Sequence, residues 1–170
     1  MLLRPAEPKD AMAVAIVHVR SWQAAYRGLL PDAYLDNLRA EDRAERYDFT
    51  HSDPANPHTI VAVESDSILG FATTRPCPDD DRADYGELAA LYVDPDYWHR
   101  GLGVALVSAA RVRLAELGFM KAVLWVLEGN QRAEKFYLND GWTRNGIERS
   151  ATMWGIQLHE VRFQRNLVAS

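Results

Sequence analysis

Tyr97-Trp98-His99-Arg100-Gly101-Leu102-Gly103-Val104-Ala105-Leu106 is the stretch on which the reading of the fold turns. An apolar, strand-like run from Leu88 to Val93 leads into it through Asp94-Pro95, and a helical run from Val104 to Leu117 leaves it. Strand, short turn, two glycines and helix together make a phosphate-holding device. The first helical turn carries backbone N–H groups without intrahelical partners, and the helix dipole adds about half a positive charge there. Glycine removes the Cβ atoms that would keep an anion from those donors. The turn therefore predicts a site for the pyrophosphate of a nucleotide-like cofactor.

Working outward, Tyr85 to Val93 reads as a strand with Glu87, Ala89, Leu91 and Val93 on one face and Leu88, Ala90 and Tyr92 on the other. Being mostly apolar on both faces, it belongs in the middle of a sheet covered on each side. In the following helix Leu106, Val107, Ala110, Leu114 and Leu117 form one stripe, closed by Gly118. Ala122 to Leu127 is a second buried strand, and the order strand–helix–strand predicts a right-handed parallel crossover. Upstream, Leu2 to Ala6 is an edge-strand candidate. Met12, Ile16, Val19, Gln23 and Tyr26 recur at helical spacing until Gly28. Pro31 to Leu38 and Glu41 to Tyr47 read as helical, and Thr50 to His58 as loop.

Thr59 to Glu64 and Ile68 to Thr74 form a hairpin pattern about Ser65-Asp66-Ser67, and Pro76 to Asp81 reads as a solvated loop. Downstream, Asn130 to Asn139 is a short helix ended by Asp140-Gly141. Two strands, Trp142 to Ser150 and Leu158 to Asn166, finish the chain around a loop containing Trp154. The pattern predicts one α/β domain over residues 1–170 with a mixed sheet.

Length and composition agree with that reading. A chain of 170 residues, 48 % hydrophobic and 25 % charged, resembles an ordinary globular protein able to bury a core. It has no run of about 18 apolar residues and no basic-then-apolar start, so neither a membrane span nor a secretory leader is expected. The single cysteine, Cys77, has no internal partner, which suits a reducing cytoplasm. A net charge of −5 argues against general nucleic-acid binding. The five histidines show no metal-ligand spacing, so no metal is expected.

The order of elements and two motifs resemble the GNAT superfamily of acetyl-CoA-dependent N-acetyltransferases along nearly the whole chain. Gly101 and Gly103, with Arg100 before them, match Gln/Arg-x-x-Gly-x-Gly/Ala at the start of the central helix. Trp98 departs from it, standing where Gln or Arg is usual. Asn130-x-x-Ala133-x-x-Phe136-Tyr137-x-x-x-Gly141-Trp142 is similar to a second family segment, with Trp142 in place of phenylalanine. The resemblance implies a mixed, mostly antiparallel sheet with a central splayed parallel strand pair and helices on both faces. It further implies acetyl-CoA as cosubstrate and an amine acceptor. The pantetheine arm would lie along Leu91, Tyr92 and Val93. The pyrophosphate would meet the amides from His99 through Arg100, Gly101, Leu102, Gly103 and Val104 to Ala105, with Asn130 and Tyr137 near the thiol. A homodimer through the last strands would also be consistent with the family.

The chemistry asks for two proton movements. An alkyl amine with the lysine reference pKa of about 10.4 is deprotonated in roughly one molecule in a thousand at neutral pH, so attack on a thioester benefits from a base. The departing thiolate benefits from an acid, and the oxyanion from a donor such as a free strand amide near Val93. By resemblance Tyr137 is the candidate acid and Glu87 the candidate base. A carboxylate among apolar strand residues also needs a functional or pairing reason. Trp22 and Tyr26, with Tyr34 beyond, lie in the segment that resembles the acceptor-binding part of the family. The acids from Asp79 to Asp81, with Asp84, offer attraction for a cationic amine. The rival readings are a catalytically silent acyl-CoA sensor and a dinucleotide-dependent oxidoreductase. The latter suffers because Gly101-x-Gly103-x-x-Leu106 lacks a third glycine.

Overall fold

The computed structural model describes residues 1–50 and 53–167, so positions 51 and 52 of the expected Thr50–His58 loop lie outside the described residues. Seven strands form one sheet: β1 (Leu2–Pro5), β2 (His58–Glu64), β3 (Ser67–Pro76), β4 (Gly86–Val93), β5 (Lys121–Leu127), β6 (Thr143–Met153) and β7 (Ile156–Asn166). Their spatial order is β1-β2-β3-β4-β5-β7-β6. Every neighbouring pair is antiparallel except β4 and β5. That parallel pair is joined at Gly86–Ala122 and Glu87–Val123 and then parts, so β4 and β5 diverge toward their C-terminal ends. The splayed pair is the structural centre of the molecule.

The helices are α1 (Ala11–Ala25), α2 (Asp32–Asp36), α3 (Ala40–Ala44), α4 (Leu102–Glu116) and α5 (Gln131–Asn139). α4 and α5 cover one face, where Leu88, Val93, Leu102, Leu106, Val107, Ala110, Leu114, Tyr137 and Trp142 share a core. α1 covers the other through Val14 and Val17 against Val61 and Phe71, while Trp22 and Tyr26 meet Leu35, Leu127 and Leu158. The end of α4 follows from Gly118. At φ 94° it turns the chain left-handed, so that Gly118 N–H reaches Ala115 O and Phe119 N–H reaches Leu114 O.

Three expectations are corrected. The buried stripe of α1 runs through Val14, Val17, His18, Ser21 and Trp22, whereas Met12 and Ile16 are 42 % and 44 % exposed. Amphipathic spacing fits more than one helical phase, and packing against β3 selected this one. The last two strands run beyond the expected Ser150 and Leu158 to a two-residue turn, Trp154-Gly155, with φ of 52° and 78°. Such left-handed pairs match the twist of a hairpin. Finally, β4 does not alternate regularly. Thr73 pairs with Ala90 and Thr74 with Leu88, leaving Ala89 as an extra residue in a bulge. The bulge brings Leu88 onto the face of Leu91 and Val93, and so turns Glu87 to the face of Ala90 and Tyr92.

The start of the parallel pair has no room for a side chain at Gly86. A Cβ there would lie 2.7 Å from Leu114 Cδ2 and 3.2 Å from Phe119 Cδ2. Because Leu114 is itself buried, Gly86→Ala is expected to cost about 1–3 kcal/mol of folding free energy by overpacking. An unchanged denaturant midpoint would refute that crowding.

Candidate active site

Where β4 and β5 part, a cleft of about 520 Å³ opens between them. Its wall runs from Gly101–Val104 at one end, past Leu91, Tyr92 and Val93, to Glu87, Arg75 and Arg149 at the other. Strand alternation explains the middle. Asp94 N–H bonds to Leu69 O on β3 at 2.7 Å, so the N–H groups of Val93 and Leu91 face the gap left by β5. The carbonyl of Val93 accepts from Ser21 Oγ and from Trp98 Nε1, both at 2.8 Å. Trp98 thus braces the end of β4, which accounts structurally for the motif's departure at this position.

At the phosphate end, His99 (φ 64°) and Gly101 (φ 84°) take left-handed conformations that aim the start of α4 into the cleft. A Cβ on Gly103 would press on the Phe136 ring at 3.3 Å. Gly101 is thus favoured by its backbone angle, and at Gly103 a Cβ would make the Phe136 ring shift by a few tenths of an ångström. Ala105 N–H is used within the helix, bonding Gly101 O at 3.1 Å, so the run of free amides stops short of the expected residue. Neither Ala105 nor Arg100 reaches the wall, and Arg100 stacks over Tyr97, 5.0 Å from the ring centre. Asn130 caps α5, accepting from Ala133 N–H at 3.3 Å, and Tyr137 follows two turns later, buried against the Trp142 ring. Burial raises the Tyr137 hydroxyl pKa, with the nearby Arg132 cation acting in the opposite sense.

At the other end Glu87 is 2 % exposed. Its Oε1 accepts from Arg75 Nε at 2.8 Å and Nη2 at 2.7 Å, whereas Oε2 is buried and has no hydrogen-bond partner among the described residues. Burial raises its pKa and Arg75 opposes that shift. A buried carboxylate with one oxygen left over and its pKa raised has the chemistry to accept a proton near neutral pH. Glu160, paired with Arg149 Nε at 3.0 Å, lies on the same wall.

Trp22 and Tyr26 both line the cleft, while Tyr34 stands outside it and donates to Trp154 O at 2.6 Å. Behind them His18 fills an aromatic cluster with Trp22, Tyr92 and Trp154, its Nδ1 2.7 Å from the Tyr47 hydroxyl. Burial pushes its pKa well down, so the ring is neutral there.

The loop before β4 exposes Pro78, Asp80, Asp81 and Asp84 as expected, but it buries Cys77 and two of its acids are paired. Asp79 and Asp81 clasp Arg162, which is 1 % exposed, at 3.1 and 2.6 Å. These acids are thus committed to an internal cation. Cys77 is buried, with its thiol pKa pushed up to about 11 by burial. Folding also brings ligand atoms of Cys77, Asp79 and Glu87 within 4.8 Å of one another, which no spacing along the chain announced. Arg162 and Arg75 already face its two carboxylates.

The wall also includes residues that the sequence reading passed over: Arg75, Arg132, Lys135, Arg149 and Glu160. Alternation along β3 and β7 could have put some of them on one face. Their convergence depends on the sheet order, which inserts β7 between β5 and β6.

The profile of the Acetyltransferase (GNAT) family matches residues 19–142, a span holding the glycine turn, the splayed strands and the Asn130–Trp142 segment. The chain belongs to the GNAT acetyltransferase family. Among GNAT relatives, an uncharacterized N-acetyltransferase, YuaI, of Bacillus subtilis (strain 168) is 29 % identical over 128 residues, covering 75 % of this chain and 72 % of that one. The mycothiol acetyltransferase of Geodermatophilus obscurus is 34 % identical over 113 residues, 65 % of this chain but only 36 % of that protein. In fold, the GNAT chain is similar to the PaiA N-acetyltransferase of Thermoplasma acidophilum, solved in complex with coenzyme A. The TM-score is 0.77 at 19 % identity, over 97 % of this chain and 98 % of that one. It is also similar to YncA of Salmonella typhimurium, solved with acetyl-CoA, with a TM-score of 0.72 at 18 % identity over 100 % and 95 % of the two chains. No helix among the described residues is long and apolar enough to cross a membrane.

Proposed function

We propose that this GNAT enzyme moves the acetyl group of acetyl-CoA to a primary amine of a small molecule or peptide, by direct attack within a ternary complex. The observation that carries the reading is the single cleft joining the free amides of α4 to an unpartnered buried carboxylate. An extended thioester with its phosphates on Leu102–Val104 would run along β4 and present its acyl carbon between Val93 and Glu87. The inward N–H of Val93 would receive the oxyanion. Glu87, six residues from Val93 along a strand that rises roughly 3.3 Å per residue, would take a proton from the amine through a relay of water, and Tyr137 would return one to the sulfur. The C–N bond forms as the C–S bond breaks, and no covalent enzyme intermediate is needed. Trp22, Tyr26 and Tyr92 give the acceptor side aromatic walls, and Glu87 and Glu160 give it negative charge.

The experiment is a titration of the protein with acetyl-CoA, followed by thiol release against a panel of polyamines, amino acids and short peptides. Acetyl-CoA binding with amine-dependent thiol release is expected. Tight binding without turnover across the panel would favour the silent acyl-CoA sensor instead.

A further inference from the structure

The glycine turn carries Trp98 where the GNAT pattern usually has a polar Gln or Arg. The indole has one donor, and Val93 O takes it at 2.8 Å, so Trp98 has nothing left to offer a phosphate. Its ring face, however, is occupied. The guanidinium carbon of Arg132, from the first turn of α5, sits 3.5 Å from the ring centre. Both residues line the cleft together with His99 and Gly101–Val104. Among the described residues no carboxylate bonds Arg132, although the neighbouring arginines are all engaged. Arg20 holds Asp94 and Asp96, Arg111 holds Asp140, and Arg144 holds Glu134. Arg100 is turned over Tyr97 off the wall. Partial burial without a counter-ion lowers the Arg132 pKa, as expected of a cation whose anion is not supplied by the protein.

We infer that Arg132 is the side-chain cation of the diphosphate site, carried in from α5 and oriented by the face of Trp98. A guanidinium stacked on an aromatic ring keeps its in-plane N–H fork free, which suits bidentate contact with a phosphate. The free amides of Leu102, Gly103 and Val104 approach the same anion from the helix end, so neutral donors and a full charge converge from two elements. The division of labour explains how the turn dispenses with Gln or Arg at position 98: Trp98 braces Val93 with its N–H and holds the replacement cation with its face. The inference rests on acetyl-CoA being the donor substrate.

The test titrates acetyl-CoA, its 3′-dephospho form and S-acetylpantetheine, which lacks the diphosphate, into wild-type protein, Arg132→Ala, Arg132→Lys and Trp98→Ala. Arg132→Ala is expected to weaken acetyl-CoA and the 3′-dephospho form alike, by at least tenfold, and to leave S-acetylpantetheine within twofold. Arg132→Lys should fall between, because it keeps the charge and loses the fork. Trp98→Ala combined with Arg132→Ala should bind acetyl-CoA no more weakly than Trp98→Ala alone, since the stack acts as a unit. Affinity for acetyl-CoA unchanged in both Arg132 variants overturns the inference. So does an equal loss on S-acetylpantetheine, which would put Arg132 on the arm, or a loss that vanishes with the 3′-dephospho form. Wild-type protein that fails to bind acetyl-CoA removes the donor reading and this inference with it. Wild-type binding that is insensitive to Arg132 removes the inference alone.

Discussion

Glu87→Gln is expected to lower kcat/KM about a hundredfold, within the usual range for losing a general base. The substitution keeps the shape of the side chain and an oxygen for Arg75, so acetyl-CoA affinity should stay within a few fold. The pH profile carries the sharper expectation. A base works only when deprotonated, so activity falls as pH drops through its pKa. Burial raises the Glu87 pKa, placing the acid limb of kcat/KM above the ordinary glutamate value of 4.5. Arg75 pulls in the opposite direction. Replacing Arg75 with Met should therefore move the acid limb to higher pH, while Glu87→Gln should abolish the limb. If Glu87→Gln leaves both the rate and its pH dependence intact, the proton goes to bulk water or to another group.

The second large effect is expected at Tyr137. Tyr137→Phe should lower turnover at least tenfold and change acetyl-CoA affinity only within a few fold. The ring packs against Phe136 and Trp142, and phenylalanine preserves that packing. What disappears is one proton. A hydroxyl whose pKa is raised by burial is a weak acid in water's terms. The thiolate leaving in the same desolvated cleft is a correspondingly stronger base than the reference thiol of about 8.5, so the transfer remains matched. Turnover unchanged in Tyr137→Phe would show that solvent protonates the sulfur.

The two motifs were legible because each is a local geometric demand written in residue types. Gly101 must tolerate a positive φ, Gly103 must leave room for the Phe136 ring, and Asn130 must cap a helix. Local demands of this kind survive without knowledge of the rest of the chain. The alternating pattern of β4 was equally visible and led to the wrong face for Glu87, since a bulge at Ala89 is set by pairing with β3 rather than by β4 itself.

The amino-acid sequence by itself determined the α/β architecture and the helix start that can receive phosphate, because backbone preference and apolar periodicity act over a few residues and those features need no more. Glu87 and Tyr137 as residues to weigh for proton transfer came from its resemblance to the GNAT family. Only the tertiary structure decided that Glu87 leaves one oxygen unpartnered beside Arg75 and that Asp79 and Asp81 serve Arg162. It alone stacked Arg132 on Trp98, at the position where the GNAT pattern usually has Gln or Arg. Charge pairing and stacking join residues 12, 83 and 34 positions apart respectively, along strands and helices whose order in space no local pattern encodes.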